Sequence, residues 1–125
     1  MNTEGKLKSY KDLLVWQKGI GLVRDIYSLT RSFPPDERFG LVSQLRRAAV
    51  SVPSNIAEGQ SRHTSEEFVQ FLSHAEGSLP ELETQLLIAV ELSFCSKEVA
   101  NQGLAQIEEL QKMTNSLRQK LATRH

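Results

Sequence analysis

The chain has 125 residues, which fits one domain built on one hydrophobic core. Lysine plus arginine balances aspartate plus glutamate at 15 each, so total charge does not mark the chain as a binder of polyanions. Its one cysteine, Cys95, excludes an intrachain disulfide and a cysteine-rich zinc site.

No apolar run approaches the ~20 residues of a membrane span, and the polar stretch from Met1 to Lys11 lacks the apolar region of a signal peptide. A soluble, cytoplasmic protein is the expectation. The charge is unevenly spread: residues 1–62 hold ten basic and six acidic side chains, residues 63–125 five and nine. Halves of +4 and −4 suit a basic face on one helix pair, or head-to-tail self-association.

Helix signals dominate, and four periodic stretches are separated by short punctuation. The first runs from about Asp12 to Arg31. It carries two apolar stripes, one of Leu13, Trp16, Ile20, Val23 and Tyr27, the other of Val15, Leu22, Ile26 and Leu29. A helix apolar on two sides needs two packing partners, of which a bundle supplies one and a second subunit could supply the other. Gly19 and Gly21 each cost this helix about 1 kcal/mol against alanine, a cost that close helix approach would explain.

Phe33-Pro34-Pro35-Asp36 ends the first helix and starts the second, which spans about 36–60. Its core stripe is Leu41, Leu45, Ala48, Val52 and Ile56, with Ala49 beside it. Pro53 removes a helical donor and clashes with the carbonyl of Ala49, which predicts a kink in a continuous helix. Thr64 and Glu67 form a capping-box pair for the third helix, about 65–92. Its core positions are Phe68, Leu72, Ala75, Leu79, Leu82, Leu86 and Ala89, and Pro80 predicts a second kink. Ser96 caps the fourth helix, about 97–122, whose core is Ala100, Leu104, Ile107, Leu110, Thr114, Leu117 and Leu121. Arg118, Lys120 and Arg124 near its end complement the helix dipole. The expected fold is all-α: a single antiparallel up-down-up-down four-helix bundle over residues 1–125.

The residues do not point to catalysis. Di-iron bundles need Glu-x-x-His pairs, and Glu66 and Glu67 are followed three residues later by Val69 and Gln70. His63 and His74 are too far apart to share a metal. Cys95 lacks a nearby cation or histidine to lower its pKa and reads as a buried thiol. Glu76 and Glu83 read as a solvated or interface row. No enzyme activity, metal or cofactor is expected.

The second helix holds the candidate site. Gln44, Arg47, Ser51, Asn55, Glu58 and Arg62 fall in one stripe beside the core stripe. One reading places Arg47 and Glu58 at subunit contacts, with Ser51 and Asn55 satisfying the carbonyl freed at the proline. The other has Arg46, Arg47 and Arg62, with Ser51 and Asn55, line a polar groove for phosphate or an RNA backbone. Seven of the eight aromatic residues sit at core spacing or helix ends, so no stacking platform for single strands is expected.

Several segments then identify a resemblance. Asp12 to Lys18, Phe33-Pro34, Gln44 to Gly59, Phe71-Leu72, Ala75 to Leu79 and Glu81 to Leu86 resemble the bacterial bundle proteins encoded within intervening sequences of 23S ribosomal RNA genes. The match covers about residues 10–95. The resemblance implies a four-helix bundle assembling as a ring, typically a homopentamer. Similar bundles include the pentameric accessory protein of diversity-generating retroelements, which binds a reverse transcriptase and nucleic acid through a basic surface. This chain is neutral overall, and it departs from the family pattern at Gly19, at Gly21 and at Ser93-Phe94-Cys95, where a glycine–aromatic pair is usual. Two functions compete: an oligomeric accessory to RNA or a nucleic-acid-handling protein, and a protein–protein scaffold without nucleic acid.

Overall fold

The computed structural model describes residues 9–123, which leaves Arg124 and most of the polar N-terminal stretch outside the described residues. Four helices account for most of it: α1 (Leu14–Thr30), α2 (Leu41–Gln60), α3 (Ser65–Glu91) and α4 (Lys97–Ala122). α1 packs on α2 and α4, and α3 packs on the same two helices, while the diagonal pairs α1–α3 and α2–α4 do not approach. Short connections between sequential neighbours make the bundle antiparallel.

The apolar periodicity became the core. Leu22, Ile26, Leu45, Val52, Ile56, Leu72, Leu79, Leu82, Leu86, Ile107 and Leu110 are each at most 1% exposed. Burying one such side chain contributes about 1.5–3 kcal/mol, so this seam dominates the stability of the fold. Phe68, Leu104 and Leu117, also expected inside, are partly buried against its margin. Two polar side chains share the interior by bonding their own helix. Thr30 donates to the carbonyl of Ile26 at 2.8 Å and Thr114 to that of Leu110 at 2.7 Å.

Helix ends follow local chemistry, with three departures from expectation. Ser9 and Asp12 cap a short 3-10 turn (Tyr10–Asp12), so α1 proper begins only after the extended Leu13. α2 does not start at Asp36. Pro35–Glu37 form a separate 3-10 turn, and the Glu37 carboxylate accepts the Leu41 amide at 3.1 Å, placing the helix start after Gly40. At the start of α3, Thr64 accepts the Glu67 amide at 3.1 Å as expected, but the Glu67 carboxylate meets the Thr64 hydroxyl rather than reaching the backbone. Ser96 caps α4 through the Val99 amide at 3.1 Å.

The α3–α4 turn closes as a Schellman motif, with the Phe94 amide donating to Ala89 at 2.8 Å and the Ser93 amide to Val90 at 3.0 Å. Ser93 occupies the left-handed position with φ 63°, a conformation that favours glycine. The geometry is therefore kept, at a conformational cost of about 1–2 kcal/mol.

α2 and α3 run through Pro53 and Pro80 without interruption. Pro53 is buried and Pro80 is exposed. A Cβ added at Gly19 would lie 3.3 Å from the Pro53 Cβ, so the glycine lets α1 seat directly on the proline ring. At Gly59 the approach is tighter: an added Cβ would stand 2.7 Å from the Phe71 Cβ. Gly21 is different, meeting only the tip of the Arg24 side chain at 3.5 Å.

Candidate functional site

α2 fixes the candidate residues, and its helical phase sets one of them apart. At about 100° per residue, Arg46 turns toward α1, while Arg47, Ser51, Asn55 and Glu58 share one stripe, in which Ser51 and Asn55 are half-buried and Arg47 and Glu58 exposed. The sequence reading placed Arg46 with the others; the structure splits it off.

Arg46 is held by α1. Its Nε donates to Thr30 Oγ1 at 2.9 Å, a terminal nitrogen donates to the Tyr27 carbonyl at 3.4 Å, and the guanidinium lies 4.4 Å from the Tyr27 ring centre. Such stacking contributes about 0.5–1 kcal/mol at a partly exposed site. Arg47 is exposed and makes no hydrogen bond or ion pair among the described residues.

Ser51 and Asn55 are committed internally. The Ser51 and Ser78 hydroxyls meet at 2.5 Å across the α2–α3 cleft. Ser51 also reaches the Ala48 carbonyl at 2.8 Å, and Asn55 Nδ2 donates to the Ser51 carbonyl at 2.8 Å. These bonds flank the carbonyl of Ala49, which Pro53 leaves without a helical donor, but do not go to it. Neither side chain bonds that carbonyl directly: the short side chains stitch the helix on either side of it. Arg62 pairs with Glu58 at 2.6 Å and stacks 4.7 Å from the Phe71 ring centre. With side chains 39% and 55% exposed, the pair contributes a few tenths of a kcal/mol. Arg62 lies in the turn beyond the end of α2 at Gln60, while Arg47 lies in the helix's first half, so the arginines form no single patch.

Two other sequence expectations change. Glu76 is not a solvated residue, because it forms a charge-assisted hydrogen bond with Arg118 across the α3–α4 cleft. Arg118 therefore acts as a clamp between helices rather than only as a dipole partner. Cys95 is half-buried, and desolvation pushes its thiol pKa up. The thiolate is disfavoured there.

A cationic groove that the sequence reading missed lies where α1 passes into α2. It measures about 540 Å³ and is lined by Arg31, Arg38 and Arg46 among others, with Phe33 and Val42 at its buried wall. Phe39 stands at its rim, 89% exposed, with the Arg38 guanidinium 5.8 Å from its ring centre. Phe39 is the exposed aromatic that lies outside core spacing. The expected second helix would have absorbed Phe39 into its first turns, whereas the late start of α2 leaves it in the connection. The available signal was the Arg38-Phe39-Gly40 triplet beside a double proline.

None of the described residues forms a group of three His, Cys, Asp or Glu side chains placed to hold a metal. No helix among them is long and apolar enough to cross a membrane.

Comparison with known proteins agrees with the fold. A solved structure of a protein of unknown function from the S23 ribosomal protein family of Bacteroides thetaiotaomicron VPI-5482 superposes with a TM-score of 0.76. It is 19% identical and the match covers 84% of this chain and 98% of that one, a likeness that speaks for the bundle alone. Among curated proteins, none matches. The model of the 23S rRNA-intervening sequence protein family matches residues 11–116, which takes in all four helices up to the last turns of α4. The chain belongs to the 23S rRNA-intervening sequence protein family.

Proposed function

We propose that this protein is a non-catalytic, cytoplasmic bundle that assembles with copies of itself and serves as an accessory to RNA or to a ribonucleoprotein. The observation that carries the assembly is the pair of outward faces on α1 and α3. On α3, Leu87 is 50% and Ile88 42% exposed, beside exposed Pro80, Glu81, Thr84 and Glu91. On α1, Ile20 and Tyr27 are each 38% exposed, beside exposed Gln17, Arg24 and Arg31. Apolar side chains at these outward positions are unusual for a helix packed on one side only.

The two helices are diagonal in the bundle, so the faces point away from each other. One is basic and the other acidic. A contact between the α1 face of one copy and the α3 face of the next is complementary in charge and can repeat around a ring. The homopentamer implied by the family resemblance is one closed form of such a contact. The RNA part draws on the family's link to ribosomal RNA genes.

Light scattering tests the assembly. The wild type is expected to have the mass of several chains, and Leu87→Glu with Ile88→Glu to fall toward one chain with its helical circular dichroism intact. A double variant that stays assembled removes these faces from the interface. A scaffold without nucleic acid is the second reading, favoured by the internal commitment of Ser51, Asn55, Glu58 and Arg62. It predicts that no purified assembly binds RNA at any salt concentration.

A further inference from the structure

Three arginines converge on the groove between α1 and α2, and no carboxylate lines it. The nearest acidic residues in the chain are Asp36 and Glu37. Glu37 is turned to the Leu41 amide, and neither lines the groove. Arg31 and Arg38 have no ion-pair partner among the described residues. Arg46 is anchored by Thr30 and Tyr27 through two of its nitrogens and keeps further N–H donors free. A cation already fixed in place loses little entropy when it meets a ligand. Clustered cations without an anion make a site for a multiply charged anion.

Phe39 adds a second requirement. A phenyl ring 89% exposed at the rim of a cationic groove offers a flat apolar face. A phosphate alone leaves it unused, and so does an acidic peptide without an aromatic side chain. A nucleotide chain satisfies both, with phosphates on the arginines and a base on the ring.

We propose that this groove binds a short segment of single-stranded RNA, its phosphates held by Arg31, Arg38 and Arg46 and one base stacked on Phe39. The proposal rests on the RNA part of the function above, and it shares Arg31 with the α1 face proposed for self-assembly.

The test is fluorescence anisotropy with labelled oligoadenylate and the full-length protein across a salt series. Arg31→Ala with Arg38→Ala is expected to weaken binding at least about tenfold and to reduce the salt slope by roughly one to two. Phe39→Ala is expected to weaken it about tenfold, and Phe39→Trp to restore it. Lys112→Ala, on α4 and paired with Glu108, serves as the unaffected control. Circular dichroism confirms that each variant folds. If the wild type binds and the groove variants bind equally well, the site is overturned while the RNA reading stands. If the wild type binds no RNA, both fall. If polyglutamate competes fully and Phe39→Ala changes nothing, the groove takes an acidic protein segment and the proposal is overturned. If Phe39→Ala lowers the assembled mass without altering RNA affinity, Phe39 is a subunit contact and its stacking role is lost.

Discussion

Pro53 and Pro80 sit near the middles of neighbouring helices and each removes one backbone donor, yet their surroundings are opposite. Pro53 is buried with its ring against Gly19 of α1. Pro80 is exposed on the outer face of α3, beside Gly77, where an added Cβ would meet nothing within 4 Å. The inner proline recovers part of its backbone cost through packing. The outer one recovers nothing within the single chain. An uncompensated proline and glycine on the face that carries exposed Leu87 and Ile88 fits the contact with another copy proposed for it.

The tightest inner contact gives the largest expected effect. Gly59→Ala forces a Cβ to within 2.7 Å of the Phe71 Cβ and 2.9 Å of the Phe68 ring, and is expected to cost about 2–3 kcal/mol in urea unfolding. A neutral result would mean that α2 and α3 separate freely at that end.

Pro80→Ala should stabilise the single chain by about 2 kcal/mol, as helix propensity outweighs the lost restriction of the unfolded chain. Pro53→Ala should gain less than half of that, because the buried ring also loses its contact with Gly19. Equal gains at both prolines would break the contrast between the two faces. These unfolding measurements belong on the dissociated Leu87→Glu, Ile88→Glu background, where assembly does not contribute.

Arg118→Ala removes the clamp to Glu76 and is expected to cost about 1–2 kcal/mol, with most of that loss vanishing when Glu76→Gln is already present. Additive losses would show that the two side chains do not act together. A modest effect is expected at the α3–α4 turn. Ser93→Gly relieves a residue held at φ 63° and should raise stability by about 1 kcal/mol, read as a shift of the urea midpoint at constant slope.

Much of this architecture was legible in the residues. The stripe Leu45, Ala48, Val52, Ile56 and most of its counterparts in α3 and α4 are buried, and Thr64 and Ser96 cap the helices they were expected to cap. The start of α2 was not legible, because Asp36 after two prolines is also a good helix start. The competing cap, the Glu37 carboxylate on the Leu41 amide, depends on how the loop folds back. Of the two readings of the candidate stripe, the hydrogen bonds of Ser51 and Asn55 follow the one that commits them internally. Ser51 meets Ser78 on α3, a partner 27 positions away in the chain.

The sequence by itself determined four helices, their core faces and the family. Apolar spacing and caps act within a few residues, and the hydrophobic effect requires only that one face be buried. Tertiary structure alone decided which cations meet. Arg46 and Arg47 are adjacent in the chain, but one is drawn onto Tyr27 and Thr30 of α1 and the other faces solvent. Arg31 and Arg38 join Arg46 only because the α1–α2 connection wraps back on itself. Such groupings depend on the rotation and approach of whole helices. Here these are set by the glycines that let α1 rest on Pro53 and α2 close on Phe71.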